Sequence, residues 1–394
     1  VVIDSFDFHR RACNHAALAA AGIDERTPDP PGGHIVRDAA GRPTGELIDS
    51  ARGLLDSVMP PWTHDEDEEA IRRAGDHFAA LGFTHVTNAA PLTMSRFGEE
   101  VAAFLRLHKK NDLRLRFSSM LRIDLAGAAV DLGIAPGFGD EWFSLAGLKI
   151  FADGALGPRT ADLDEPYEGT TTTGSPSMGR EELTELVASP AAAGWQICVH
   201  AQGNAATRTV AQVLSAHPPA GGGRHRIEHC SLTNADAISS MAAGHITPVP
   251  QLGFLRYRSA DFLASLGPER LADIFPLRRW IDAGLRPLHS SDAPVIEDAR
   301  PMPAIATAIG RADDRGRVWG ADQGVTFDEA LAMVTSWPAE ASGEENRRGR
   351  IAPGYLADFT MFDVELRHLP PGDLAAVQPV GTIVGGSFVW RAEQ

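Results

Sequence analysis

LKIFADGALGPRT, Leu148 to Thr160, is the stretch on which the reading of this chain turns. Leu148-Lys149-Ile150-Phe151-Ala152 has the composition of a short buried strand with a lysine in its middle. Asp153 to Thr160 then breaks it into a glycine-punctuated loop. A lysine inside an apolar strand is costly unless it is paired or chemically used. Three later stretches share this grammar of apolar residues, a reactive side chain and a loop: Ile197-Cys198-Val199-His200, Arg226-Ile227-Glu228-His229 and Leu288-His289-Ser290-Ser291-Asp292. Reactive groups at the ends of successive strands predict the active-site face of a (β/α) barrel.

Outward from that stretch the alternation is regular. Strands are expected at 83–87, 114–123, 145–152, 196–200, 225–229, 246–251 and 287–290. Helices are expected at 97–111, 181–193, 205–216, 235–243 and 278–284 between them. Repeated strand-helix units imply a parallel sheet, and this length favours a closed barrel over an open one. Seven strands are one short of eight, unless Val1 to Ile3 supplies the other. Before the barrel lie a helix over 14–21 ended by Gly22, a hairpin of His34–Arg37 with Thr44–Leu47, and a helix over 65–81. The acidic run Asp65 to Glu69 suits the dipole at that helix's N-terminus and reads as capping rather than as a metal site. A single helix is expected over 326–341. The segments 349–362 and 382–390 read as strands, too few to bury a core of their own. The division is a barrel over residues 1–345 and strands of a composite, incomplete β-sandwich over 346–394.

Composition narrows the function classes. The chain has 394 residues, of which 43% are hydrophobic and 22% charged, and a formal net charge of -16. A globular, soluble protein is expected. Binding to nucleic acid needs clustered Lys and Arg, and neither that balance nor a basic stripe is present. No apolar run reaches about 18 residues and no charged-then-apolar leader opens the chain, so no membrane association is expected. Cys13, Cys198 and Cys230 are far apart, as buried reduced thiols in a cytoplasmic protein would be.

Five motifs in order carry a resemblance: Lys149 to Thr160 with Glu165-Pro166-Tyr167; Val199-His200-Ala201-Gln202-Gly203-Asn204; Arg226 to His229; Ser291-Asp292-Ala293-Pro294; and Gly349 to Asp358. Together they resemble the amidohydrolase superfamily, and within it the third family, which includes the N-substituted formamide deformylases. The resemblance implies a (β/α)8 TIM barrel of the metal-dependent hydrolase type. It also implies hydrolysis of a non-peptide amide or formamide C-N bond in a small-molecule substrate by metal-activated hydroxide. On it, Lys149 would be carboxylated and bridge two divalent metals, most plausibly zinc. His200, His229 and Asp292 would be the remaining ligands here, and Asp292 would also be the catalytic proton shuttle. The residue types suit this chemistry, because imidazole binds zinc and a bound cation makes hydroxide available near neutral pH. Arg159 and Asp153 read equally well as loop-structuring partners or substrate contacts. His9, His34 and His85 are weaker pocket candidates. His289 is set aside, because strand alternation turns it away from the Asp292 side.

The departures from the resemblance shape the expectation further. The family carries a His-x-His pair on its first barrel strand, and no such pair lies upstream of Lys149. N-terminal strands that would complete the sandwich are also absent, so the sequence reads as starting one strand-helix unit late, with the first barrel strand missing. Asn204 stands where the family tends to carry an aspartate, which bears on how His200 is oriented. Without the His-x-His pair, one ion held by His200, His229 and Lys149 is expected, or none with an unmodified lysine. The alternative to an enzyme is an inactive amidohydrolase-like fragment or binding protein. Unpaired sandwich strands would favour burial in a partner chain, which leaves a homo-oligomer open.

Overall fold

The computed structural model describes residues 1–5, 10–30, 33–89 and 97–393. Its first unit is an antiparallel sheet of β1 (Val2–Asp4), β2 (Arg10–Cys13), β3 (Gly33–Arg37) and β4 (Pro43–Asp49), in the order β1-β2-β4-β3. The helix α1 (His15–Ala20) starts at Asn14, whose side chain accepts the Ala17 N–H. The hairpin of β3 and β4 is as expected. Val2–Asp4 pairs with β2, however, and so is not a strand of the barrel. This unit has its own apolar core of Leu18, Ile23, Ile35, Leu47, Ala51 and Leu55. Its buried Arg11 is held by Asp4, Asp56 and the Arg52 carbonyl.

The alternating part follows: α2 (His64–Ala80), β5 (His85–Asn88), α3 (Phe97–Lys109), β6 (Arg116–Arg122), α4 (Ala126–Asp131), β7 (Phe143–Phe151), α5 (Arg180–Ala192), β8 (Ile197–Ala201), α6 (Asn204–Ala216), β9 (Arg226–His229), α7 (Ala235–Ala243) and β10 (Thr247–Val249). The six strands form one parallel sheet in sequence order. The expected seventh strand lies alongside β10, where the N–H groups of Leu288 and Ser290 donate to the carbonyls of Pro248 and Pro250. Side chains alternate between two faces. Leu148, Ile150, Ile197, Val199 and Ile227 belong to the large apolar core. Lys149, Cys198, Arg226 and Thr247 are register neighbours in one row, and Phe151, His200, Glu228 and Val249 form the next row, nearer the strand ends. Reactive residues therefore collect at the C-terminal ends of the strands.

The acidic start of α2 does more than cap. Thr63 and Glu66 form a capping box, as the capping reading expects. Glu68 instead turns inward and accepts from Arg106, Lys110 and Arg72, which ties α2 to α3.

After β10 come α8 (Leu252–Tyr257), α9 (Ser259–Ala272), α10 (Leu277–Asp282) and α11 (Pro301–Gly310). The single helix expected over 326–341 is two, α12 (Phe327–Ala332) and α13 (Ser336–Ala341). Pro338 has no N–H to give to the Val334 carbonyl, so an unbroken helix would lose that bond. The Met333 carbonyl between the two helices accepts from His289 instead. The chain ends in β11 (Phe359–Met361), α14 (Pro371–Ala376), β12 (Gly381–Val384) and β13 (Ser387–Arg391), with the strands in a three-stranded antiparallel sheet. Of the expected 349–362 strand only β11 forms. Thr360 and Thr382 donate their hydroxyls to the carbonyls of Gly82 and Ala79 at the end of α2, which fixes this sheet on the barrel's helical layer. Buried Arg116 on β6 pairs with Asp358 through two nitrogens and makes a second tie.

Candidate active site at the strand ends

Lys149 is 6% exposed near the end of β7. Its ammonium lies 4.9 Å from the centre of the Phe151 ring, and no salt bridge reaches it among the described residues. Burial lowers its pKa, against the opposing pull of Glu228 and Asp292. Glu228, the nearest large anion in the row above, is already engaged by Arg226, which donates from Nε and Nη2 at 2.8 and 3.1 Å. The lysine is thus held in a polar interior without a partner of its own.

His200 is the next-to-last residue of β8. Its Nε2 is 2.8 Å from the Gly154 carbonyl and 3.6 Å from Asp153 Oδ1. The His229 ring is 4.4 Å from it, centre to centre and edge-on. Strict alternation would have placed His229 opposite Glu228, on the face of Ile227. The backbone departs from strand geometry at this point: His229 has φ 67 and Cys230 φ 49. We attribute the approach of the two rings to this left-handed step. His229 is 7% exposed, and its Nδ1 is buried with no hydrogen-bond partner. Burial and then Lys149 hold its pKa down to about 3 against the opposing pull of the Gln251 side chain, so the ring is neutral and can donate a lone pair.

Asp292 follows the extended 287–290 segment with φ 54. Burial pushes its carboxyl up to about 6, Lys149 pulls the other way, and Glu228 adds to the rise. Asp292 thereby shares the electrostatic environment of Lys149. Among the described residues no three His, Cys, Asp or Glu side chains converge on one point where they could hold an ion.

Asp153 is 3% exposed and spends both oxygens on backbone N–H groups. Oδ1 accepts from Gln202, and Oδ2 accepts from Gly203 and Asp162. These bonds favour its ionised form, while burial pushes the other way, to about 7. Gln202, which the motif contains but whose role the sequence does not show, accepts the Leu156 N–H and pins the 153–160 loop to the end of β8. Gly203 has to be glycine, because a Cβ there would lie 1.9 Å from the Asp162 carbonyl oxygen. Arg159 stands at the edge of the same loop and donates to the Ala264 carbonyl on α9.

The remaining candidates separate from this group. His34 is exposed on β3 and bonds Asp29. His85, at the start of β5, is 2.8 Å from the Ser118 hydroxyl, toward the opposite end of the sheet. His289 packs with a buried Nδ1 that has no partner, and burial lowers its pKa to about 4. His9 lies outside the described residues. Asn204 exchanges two hydrogen bonds with Asp164 rather than touching His200, whose neighbour on that side is Asp153.

The curled parallel sheet carries Lys149, His200 and His229 at or near its strand ends, and the chain belongs to the amidohydrolase family, whose model matches residues 1–390. It is 30% identical over 388 residues to the putative amidohydrolase YtcJ of Bacillus subtilis, covering 97% of this chain and 72% of that protein. It is 29% identical over 399 residues to an N-substituted formamide deformylase of Arthrobacter pascens, covering 96% and 71%. The crystal structure of an uncharacterized metal-dependent hydrolase from Pyrococcus horikoshii superposes with a TM-score of 0.78 at 22% identity, covering 94% of this chain and 73% of that one. This likeness establishes the fold. Among the described residues no helix is long and apolar enough to cross a membrane.

Proposed function

We propose that this amidohydrolase cleaves a non-peptide C-N bond, of amide or formamide type, at the rim formed by Lys149, His200, His229 and Asp292, with one divalent metal ion as cofactor. The observation that carries the reading is the edge-on pair of imidazoles, their centres 4.4 Å apart, one with a buried Nδ1 that has no hydrogen-bond partner. A buried polar atom left unpaired is costly, and an ion is a natural partner for it. His200, His229 and the carboxylated Lys149 would hold the ion, and three protein donors are what zinc usually requires. Carboxylation joins the neutral amine to CO2 with loss of a proton, and the burial that lowers the Lys149 pKa increases the amine fraction. The ion would supply Lewis acidity and hydroxide near neutral pH.

The chain's own groups account for the rest. Asp292, raised to about 6, can take a proton from the attacking water and return it to the leaving nitrogen near neutrality. Asp153 and Gln202 hold the 153–160 loop so that the Gly154 carbonyl fixes the His200 ring. The formamide deformylase relative supports a formamide as one substrate to try, and the metal-dependent hydrolase neighbour supports the cofactor class. A second reading, an inactive binding protein of the same fold, has one observation in its favour: among the described residues no three His, Cys, Asp or Glu converge on one point.

Metal analysis of the purified protein, combined with formate release from a panel of N-substituted formamides, tests the proposal. Close to one ion per chain with turnover is expected. No bound metal and no turnover, with zinc and bicarbonate supplied, would favour the inactive reading.

A further inference from the structure

A cleft of about 780 Å³ opens along the 153–160 loop, whose first residues border His200. It starts at Asp153 and Gly154, both neighbours of His200, and passes Arg159 to reach Asp261 and Ala264 on α9, with Arg10 of β2 also in its lining. Most of the charge along it is already matched. Arg10 pairs with Glu46 at 2.9 Å, and the Asp153 oxygens are occupied by backbone N–H groups. Arg159 differs from both. One of its nitrogens, Nη2, donates to the Ala264 carbonyl at 2.9 Å, a neutral acceptor, and no carboxylate lies within ion-pair distance among the described residues. Its backbone sits at φ 63, which a residue with a Cβ adopts only at a cost and a glycine would adopt freely. A strained non-glycine residue beside a reactive site, with most of its donors uncommitted, is the pattern expected of a ligand contact.

We propose that the substrate carries a carboxylate on the part remote from the scissile bond, and that Arg159 binds it and so sets the specificity of the site. This rests on the hydrolytic reading above. The bond to Ala264 holds the guanidinium against α9 while its other N–H groups can take a carboxylate in bidentate fashion. Asp261 is exposed in the same lining, one turn before Ala264, and its charge opposes an incoming anion. Removing it should therefore strengthen the binding of an anionic substrate.

The test compares 4-(formamidomethyl)benzoate with its methyl ester. Both are offered as substrates to the zinc-supplied protein, and both are titrated calorimetrically into the protein without added metal. The acid is expected to exceed the ester about tenfold or more in kcat/KM, mainly through KM. Arg159→Asn keeps a residue that tolerates left-handed backbone, and it should lower the acid-over-ester ratio about 10- to 100-fold, with partial recovery in Arg159→Lys. Asp261→Asn should raise the ratio, and thermal melts of each variant show whether it is folded. Equal use of acid and ester by the unaltered protein, or a parallel loss for both in Arg159→Asn, overturns the assignment and leaves the hydrolytic reading standing. Arg159-dependent binding of the acid with no turnover of either compound keeps the assignment and removes the hydrolytic reading.

Discussion

At the start of β9, His225 is fully buried and fully matched: its Nδ1 accepts the Ile197 N–H at 3.0 Å, and its Nε2 donates to the His217 carbonyl at 2.7 Å. Four residues on, at the far end of β9, His229 is also buried but has an Nδ1 with no hydrogen-bond partner. The same contrast separates two buried charges. Glu68 collects Lys110, Arg106 and Arg72, whereas Lys149 has only an aromatic face beside it and anions that are not paired to it. At one end of the sheet and at the α2–α3 contact, His225 and Glu68 are thus answered by protein groups, as scaffold residues are. At the rim, Lys149 and the His229 Nδ1 are held buried and unanswered, a pattern that marks chemistry more often than structure.

This contrast is open to direct attack. His229→Asn should abolish the ion and lower kcat/KM by about 10³-fold while changing the melting temperature little, because the ring satisfies no protein group through Nδ1. Metal content and initial rates measured on the same preparation check it. Glu68→Gln should do the reverse, costing about 2 to 3 kcal/mol of stability by leaving Lys110 and Arg106 without a counter-charge, with a normal ratio of activity to folded protein. Denaturant unfolding reads that loss. The same residue gives the sign of an acid effect. Lys110 first, and then Arg106, hold Glu68 at about 2 in the folded state, below the ordinary 4.5. Its contribution is therefore complete above about pH 4.5 and fades as pH falls toward 2, a fade that Glu68→Gln should lack. Smallest is His225→Asn, which orphans the Ile197 N–H or the His217 carbonyl and should cost about 2 kcal/mol without altering metal content.

The sequence shows some of this and hides the rest for identifiable reasons. Lys149 is visible because a charge in the middle of Leu148 to Ala152 contradicts the strand around it. His200 and Asp292 are visible because each ends an apolar run. His229 is visible in the pattern, although strand alternation alone would aim it wrongly; its left-handed φ is a property of the folded backbone. The Arg226–Glu228 pair stayed hidden because two residues on one strand face become a matched interior pair only when the sheet curls around them. Glu68 was masked by its acidic neighbours, which do serve the helix end as expected. The break before α13 is legible in Pro338, although the apolar spacing of Phe327, Ala330, Leu331 and Val334 by itself reads as one helix.

Anomalous scattering at the zinc edge, from crystals grown with zinc and bicarbonate, tests the central claim most directly. One strong peak is expected between the rings of His200 and His229, together with extra density on Lys149 Nζ that reaches it. Two equally occupied peaks, or no peak from protein that still releases formate, would contradict it.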